Sequence, residues 1–219
     1  MKRTINHVLF DLDGTILDTN ELIIRSFLHA LQGVVPDGFD REHIIPSMGQ
    51  PLVDQMKQFT GLDDVSHLVA AYREINWRLH DELVKPFPHV PEVLGRLHRS
   101  GIRMGVVTTK MRQTTERGLK YFGLIDYMDA IVTIDDVSHP KPHPEPVLLA
   151  MEKLGADPAG TLMAGDSPVD MQAARAAGCV AVGVAWSLKG EQVLRDSGAQ
   201  HILHDMRDLY ALVGLERDV

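Results

Sequence analysis

The sequence predicts an α/β protein with a Rossmann-like, doubly wound parallel sheet as its core and an inserted α-helical cap domain. Short apolar runs alternate with helical patterns along most of the 219 residues, which is typical of a parallel sheet with a helix after each strand. The runs are almost continuously apolar, as strands buried on both faces are. One long stretch, residues 21–84, has helical patterns and no convincing strand.

We expect a strand at each apolar run that ends in polar residues. These runs are His7–Phe10, Met104–Val107, Ala130–Ile134, Thr161–Ala164, Val180–Val184 and His201–Leu203. The helical patterns between them lie at Pro91–Ser100, Arg112–Tyr121, Glu145–Leu154, Val169–Ala177 and Gly190–Asp196. Parallel strands need such crossover helices, so the alternation itself predicts the direction of the strands.

Residues 21–84 interrupt this alternation with two segments that have an apolar face at helical spacing. The face consists of Leu22, Ile23, Phe27, Ala30 and Leu31 in the first segment, and of Leu68, Ala71, Tyr72, Ile75 and Leu79 in the second. An insert of this length is too long for an ordinary crossover. We therefore expect a core of residues 1–16 and 85–219, a helical cap of residues 17–84, and a return hinge at residues 85–88.

Composition and charge exclude several classes of function. The single cysteine, Cys179, forbids an intramolecular disulfide, and the net charge is −8 without a basic stripe, so we do not expect nucleic acid as a partner. The sequence has no signal-peptide pattern and no run of about 18 apolar residues that could span a membrane. These features predict a cytoplasmic protein with no membrane partner.

Asp11 and Asp13 directly follow the first predicted strand. In extended backbone, residues two apart share a face, so the two carboxylates point into one small volume. Such proximity costs energy unless a cation neutralises it, and Mg²⁺ is commonly held by one or two carboxylates plus substrate phosphate. Gly14 then allows a tight turn, and Thr15 adds a hydroxyl and an amide donor.

Polar residues also follow three later strands, and ligands of open parallel sheets bind beyond the carboxyl ends of the strands. These residues are Thr108, Thr109 and Lys110 after the second run, Lys141 between two prolines after the third, and Asp166 and Asp170 after the fourth. Hydroxyls and lysines bind phosphate oxygens, whereas carboxylates bind a metal ion. The sequence thus predicts a site for a metal ion and a phosphate group, assembled from distant segments.

The motifs DLDGT, VVTT, PKPHPEP and GDSPVD, in this order, resemble the four motifs of the haloacid dehalogenase-like hydrolases. The resemblance covers the whole chain, with the helical insert in the place of the family's cap. It implies a Rossmann-like fold with a mobile cap and a Mg²⁺-dependent phosphohydrolase that forms an aspartyl-phosphate. The acid at position 13 argues against a dehalogenase, because ester cleavage needs a proton donor there.

The resemblance also implies roles for individual residues. Asp11 resembles the nucleophile, and Asp13 the general acid that later becomes the base for water. Thr108 and Lys141 resemble the phosphate binders. The implied metal ligands are Asp11, the main-chain carbonyl of Asp13, and Asp166, with Asp170 as a supporting residue.

Segments in the cap and near the site resemble the bacterial inorganic pyrophosphatases of this family, among them YREINWRLHDELV and GVVTTKMRQTTERGLK. Pyrophosphate is therefore the first substrate hypothesis. Phosphoglycolate or another small phosphomonoester is the alternative, because phosphoglycolate phosphatases share nearly the same core, and a sugar phosphomutase is third. We expect Gly14, Thr15, Asn20, Gln50, Thr109 and Lys110 to contact the substrate, although Lys110 fits a second phosphate or a carboxylate equally well.

Two histidine pairs have spacings that suggest a metal site: His139 with His143, and His201 with His204. The prolines around His139 and His143 argue against a helical pair, and Mg²⁺ prefers oxygen ligands. From the sequence alone, both pairs are interpreted as incidental.

Overall fold

A computed structural model describes residues 5–216. Its main sheet is six-stranded and parallel, with the order β5-β4-β1-β6-β7-β8. The strands are β1 (His7–Phe10), β4 (Arg103–Val107), β5 (Ala130–Val132), β6 (Thr161–Gly165), β7 (Val180–Val184) and β8 (His201–Leu203). Strands β4 and β6 flank β1 on either side, so the chain reverses its direction of winding at β1, where ligands of such sheets bind.

Helices cover both faces of this sheet. They are α5 (Val90–Arg99), α6 (Arg112–Tyr121), α7 (Glu145–Leu154), α8 (Pro168–Ala176), α9 (Glu191–Asp196) and the short α10 (Leu209–Leu212). Alternate residues of β1 enter different apolar clusters: Val8 and Phe10 pack with α5 and α10, and Leu9 packs with α7 and α8. The alternation follows from the period of two in a strand and confirms the predicted doubly wound sheet.

The remaining helices lie between β1 and β4 in the sequence. They are α1 (Asn20–Ala30), α2 (Arg41–Ile44), α3 (Leu52–Thr60) and α4 (Ser66–Leu83). They share an apolar cluster of their own, centred on Phe27, Met56 and Leu68. The chain enters and leaves this group through a short antiparallel ribbon, in which β2 (Leu17–Asp18) pairs with β3 (Lys85–Pro86). We refer to α1–α4 as the cap helices; the domain boundaries at residues 16/17 and 84/85 stay a prediction.

Three details differ from the predicted elements. The third core strand ends at Val132 rather than Ile134, because Asp136 accepts hydrogen bonds from the backbone N–H and hydroxyl of Thr133 and closes a 3₁₀ turn. Helix α3 has no predicted counterpart, because its buried face includes Gln55, which breaks the apolar period. In α1, Ile24 is buried in the cluster and Ile23 is not.

Within residues 5–216, no helix combines the length and the apolar character that crossing a membrane requires.

Candidate active site

Most of the predicted site residues lie at the carboxyl ends of β1, β4 and β6, where the sheet holds their backbones. Lys141 lies in the loop after β5, and Asn20 and Gln50 lie in the helical insert. The N–H of Asp11 donates to the carbonyl of Ala164, at 2.9 Å, and thus extends the β1–β6 ladder by one residue. The N–H of Thr108 donates to Val132 at 3.0 Å and extends the β4–β5 ladder in the same way. Backbone hydrogen bonds therefore fix the two side chains at the edge of the sheet.

Lys141 is the buried cation of the site and is only 2% exposed. Its Nζ donates to Asp11 Oδ1 at 2.7 Å, to Asp170 Oδ1 at 2.6 Å and to the carbonyl of Val107 at 2.9 Å. Burial alone would lower the pKa of Lys141, but the charges of Asp11 and Asp170 outweigh it and raise the pKa. The ammonium therefore stays charged and holds Asp11 in place.

The buried carboxylates outnumber this cation. Asp11, Asp166 and Asp170 have carboxylate oxygens within 4.8 Å of one another. Burial raises the pKa of Asp11 well above its usual value, against the opposing charge of Lys141. Burial likewise raises the pKa of Asp166 to about 6, although Lys189 opposes it. The remaining negative charge fits a divalent cation, which is the usual partner of clustered carboxylates in proteins.

The three carboxylates are not equally available to a metal ion. Asp170 Oδ1 binds Lys141, and its Oδ2 accepts from the N–H and hydroxyl of Ser167 at 3.0 and 2.6 Å, closing the capping box of α8. Within residues 5–216 no hydrogen bond is made to the carboxylate of Asp166. The donor set therefore fits Mg²⁺ through Asp11 and Asp166, with Asp170 orienting Lys141.

Asp13 is paired with Lys110. The Nζ of Lys110 lies 2.8 and 3.1 Å from the two carboxylate oxygens, and the backbone N–H of Lys110 donates to Thr108 Oγ1 at 3.2 Å. Both side chains are largely but not fully buried. The sequence left open whether Lys110 binds a second phosphate or a carboxylate of the substrate; this contact places it beside the predicted proton donor.

Gly14 lets the chain turn directly beside Asp166. Its φ is +81°, and a Cβ there would lie 2.5 Å from Asp166 Oδ2. Thr15 is buried, and its hydroxyl has no hydrogen-bond partner within the described residues. Asn20 begins α1, where its N–H donates to Asp18 at 3.4 Å, and its Oδ1 is buried without a partner.

A cavity of about 450 Å³ opens above the strand ends. The predicted site residues that line it are Asp11, Asp13, Gln50, Thr108, Thr109, Lys110 and Asp166. Lys141 and Asp170 lie beneath it, in contact with Asp11. Gly14, Thr15 and Asn20 are not part of its lining, so their predicted contact with substrate has no direct support from the position of the cavity.

The opposite wall of the cavity comes from the cap helices and is mainly apolar. It includes Ile23, Phe27, Met48, Tyr72 and Trp77, and it also carries polar and charged side chains, which are Gln55, Arg73, Glu74 and Asn76. The sequence predicted Ile23 and Tyr72 as parts of the apolar helix faces of the insert, and Trp77 was not among the predicted site residues. The sequence pattern that bears on these residues is the amphipathic helix. It identifies the apolar face but does not show whether that face contacts another helix or lines a cavity.

The cap helices touch the core close to this cavity. Thr109 Oγ1 donates to the carbonyl of Gly49 at 3.0 Å, and a Cβ on Gly49 would lie 2.7 Å from Ser167 Oγ. On α6, Arg117 donates to the carbonyl of Trp77 at 2.7 Å, pairs with Asp81 at 2.9 Å and lies over the Trp77 ring. These contacts close the cavity on two sides.

Comparison with known proteins agrees with this architecture. The family model described as haloacid dehalogenase-like hydrolase matches residues 8–184. The chain is 43% identical to the pyrophosphatase PpaX of Bacillus velezensis, over 98% of this chain and 99% of that protein. It is 45% identical to the pyrophosphatase PpaX of Bacillus pumilus, over 97% and 98%.

A crystal structure of a hydrolase from Pseudomonas syringae superposes with a TM-score of 0.85, at 26% identity, covering 95% of this chain and 98% of the other. Family model, relatives and fold agree with the strand-end site, and the resemblance inferred from the four motifs is confirmed. The chain belongs to the haloacid dehalogenase-like hydrolases.

Proposed function

We propose that this hydrolase is a Mg²⁺-dependent phosphohydrolase that acts through an aspartyl-phosphate on Asp11 and that its substrate is inorganic pyrophosphate. One observation carries the proposal. The Asp11 carboxylate is fixed by Lys141 at the end of β1, next to Asp166, and faces the cavity. A carboxylate held in this way is suited to nucleophilic attack on phosphorus.

In the first half-reaction, an oxygen of Asp11 attacks the phosphorus of the bound substrate, and the bond from phosphorus to the leaving oxygen breaks. Asp13 gives its proton to that oxygen. The hydroxyl and amide groups at Thr108 and Thr109, together with the Lys141 ammonium, offset negative charge on the transferring phosphoryl group. Lys110, which contacts Asp13 and lines the cavity, binds the leaving group.

In the second half-reaction, a water molecule attacks the phosphorus of the aspartyl-phosphate. Asp13, now ionised, takes the proton from this water, and the bond from phosphorus to Asp11 breaks. Phosphate is released and the carboxylate of Asp11 is restored. The same residue thus acts first as acid and then as base.

Asp11 and Asp166 would hold Mg²⁺, with the main-chain carbonyl of Asp13 as a further oxygen ligand. When bound, the ion supplies positive charge that offsets the buried carboxylates and polarises phosphoryl oxygens. Asp170 would keep Lys141 oriented rather than bind the ion itself, since both of its oxygens already accept hydrogen bonds.

Pyrophosphate is favoured because the full-length relatives at 43% and 45% identity are named pyrophosphatases. Lys110 would bind the second phosphate of pyrophosphate or the carboxylate of phosphoglycolate equally well. The alternative is a small phosphomonoester such as phosphoglycolate. The apolar cap wall with Phe27 and Trp77 favours this alternative, since an organic leaving group would pack against it. We place the reaction in the cytoplasm.

The experiment is a comparison of kcat/KM for pyrophosphate, phosphoglycolate and a hexose phosphate, with Mg²⁺ and with a chelator. Pyrophosphate is expected to lead, and phosphate release is expected to require Mg²⁺. A lead of phosphoglycolate by more than about tenfold, roughly 1.4 kcal/mol of transition-state preference, would make the alternative correct. The variant Asp11→Asn, which lacks the proposed nucleophile, is the negative control for phosphate release.

A further inference from the structure

The loop that carries Lys141 holds a second group of metal-binding side chains on its outer surface. Among the residues the structure describes, the side chains of His139, His143 and Glu145 bring one ligand atom each within 4.8 Å of one another. The two histidines are exposed and Glu145 is partly buried, and the group uses two imidazoles, unlike the buried carboxylates of the candidate active site. It therefore differs from that site in place and in chemistry.

We propose that His139, His143 and Glu145 form a site for a divalent transition-metal ion, Zn²⁺, on the outer face of the Lys141 loop. Imidazole nitrogen and carboxylate oxygen suit Zn²⁺, whereas Mg²⁺ prefers an all-oxygen set. A zinc ion is commonly coordinated by three protein ligands and a water molecule in the fourth position.

The distances between ligand atoms agree with this assignment. His139 Nδ1 lies 2.8 Å and His143 Nδ1 lies 3.9 Å from Glu145 Oε2. Ligand atoms around a tetrahedral zinc ion, each about 2.0–2.1 Å from the metal, are roughly 3.3 Å apart. The two observed distances lie on either side of that value, and the ligand atoms of the two rings lie within 4.8 Å of each other, so the three groups are close enough to share one ion.

The ligands are held by the loop itself. Glu145 accepts from the backbone N–H groups of Ser138 and His139 at 2.8 and 3.0 Å, which orients its carboxylate and holds its pKa below the usual value. Pro140, Pro142 and Pro144 alternate with Lys141 and His143 and limit the loop's backbone freedom. At the sequence level these prolines argued against a pair of ligands, but they place the two rings 4.8 Å apart.

Metal binding replaces two existing contacts. The ion would replace the hydrogen bond between His139 Nδ1 and Glu145 Oε2. The imidazole of His139 would then be neutral, with its hydrogen on Nε2. The backbone N–H of Glu145, which donates to His143 Nδ1 at 3.2 Å, loses that partner. No bond of Lys141 to Asp11 or Asp170 is involved, so the active site stays intact.

A matched control is available on the other side of the molecule. His204 Nε2 lies 3.1 Å from Glu191 Oε2, and the side chains of His204 and His139 are 66% and 67% exposed. The two pairs are alike in exposure and composition, but within residues 5–216 only the pair at His139 has a third ligand nearby.

The test is Zn²⁺ binding by the full-length protein in competition with a chromogenic chelator, with Mg²⁺ in large excess to occupy the carboxylate site. We expect one zinc ion per chain, and a loss of affinity of at least about tenfold in His139→Ala and in Glu145→Gln. His204→Ala should bind Zn²⁺ as the wild type does. His139 is exposed and Glu145 is partly buried, and thermal unfolding without zinc checks that both variants fold.

Three outcomes would overturn the proposal. They are no zinc binding in the presence of Mg²⁺, equal affinity of wild type and His139→Ala, or an equal loss in His139→Ala and His204→Ala. As an independent readout, Zn²⁺ should raise the melting temperature of the wild type and of His204→Ala but not that of His139→Ala.

Discussion

The two walls of the cavity are built on different principles. The core wall consists of strand ends that bring buried charges together: Asp11 and Asp170 share the Lys141 ammonium, and the Asp166 carboxylate lies beside them without a hydrogen bond within residues 5–216. The cap wall consists of helix faces that are mainly apolar, with polar and charged groups such as Tyr72, Arg73, Glu74 and Asn76 among them. From this comparison we expect that the core determines the chemistry and that the cap determines which leaving group fits.

The largest effect is expected from removing the buried cation of the core wall. Lys141→Met leaves Asp11 and Asp170 without their shared partner, and breaking a buried ion pair in this way costs about 3–5 kcal/mol of unfolding free energy. Activity should fall by at least about a thousandfold, equivalent to roughly 4 kcal/mol. Urea unfolding and kcat/KM measure the two effects.

The control for this change is Lys153→Met on α7, where the lysine is exposed and should cost less than about 0.5 kcal/mol. If Lys141→Met unfolded at the same urea concentration as Lys153→Met, the charge balance described for the core wall would be wrong.

The next effect concerns the metal and the pH. Burial raises the folded-state pKa of Asp166 from 3.8 to about 6, so the metal-free folded protein binds this proton more tightly than the unfolded chain does. The stability that the protonated Asp166 adds to the folded state is therefore present below about pH 4 and is lost as the pH rises through about 6. A divalent cation should offset that loss.

We therefore expect Mg²⁺ to raise the melting temperature more at pH 7.5 than at pH 5, relative to protein with chelator. Ca²⁺-free and Mg²⁺-free buffers with matched ionic strength are the control. An equal rise at both pH values would mean that Asp166 is not the group with which the metal competes.

A smaller effect is expected on the cap wall. Tyr72 lines the cavity, and within residues 5–216 its hydroxyl has no hydrogen-bond partner; burial and the charge of Asp13 raise its pKa, so it remains a donor. Tyr72→Phe should raise KM about fivefold, the loss of roughly 1 kcal/mol of one hydrogen bond, and leave kcat nearly unchanged. Steady-state kinetics with pyrophosphate and phosphoglycolate would separate the two parameters, and a fall in kcat with constant KM would contradict the division of roles.

The smallest effect is expected where the walls meet. Arg117→Ala removes the contacts of α6 with Trp77 and Asp81, which are partly exposed and worth about 0.5–1 kcal/mol together. KM should rise two- to fivefold. Lys120→Ala on the same helix is the control and should behave as wild type, because within residues 5–216 Lys120 pairs only with Glu116.

The difference between the walls also explains what could be predicted from the sequence. The core wall follows from short motifs, because Asp11 and Asp13 directly follow an apolar run and the ends of parallel strands meet at one edge. Lys141 could be assigned to the site, but its simultaneous contact with Asp11 and Asp170 depends on the path of a loop. The residue roles themselves stay predictions.

The cap wall could not be predicted in this way. The helical pattern of α1 indicates an apolar face, but Ile23 lines the cavity while Ile24 is buried, a rotation that depends on how α1 packs against α4. Helix α3 was missed because a buried glutamine, Gln55, binds the backbone of Gln50 instead of completing an apolar stripe. Glu145 was not connected with His139 and His143 either, because the positions of its carboxylate and of the two rings depend on the path of the loop.

The most direct test of the central claim is to trap the phosphoryl group on Asp11. Wild type, Asp11→Asn and Asp13→Asn are mixed with radiolabelled pyrophosphate and Mg²⁺, quenched in acid and digested, and the labelled peptide is identified by mass spectrometry. Label is expected on the peptide that carries Asp11, and more of it in Asp13→Asn, because phosphate leaves readily without an acid whereas water still needs a base. Steady turnover by the wild type without label on Asp11, or by Asp11→Asn at the wild-type rate, would contradict the account.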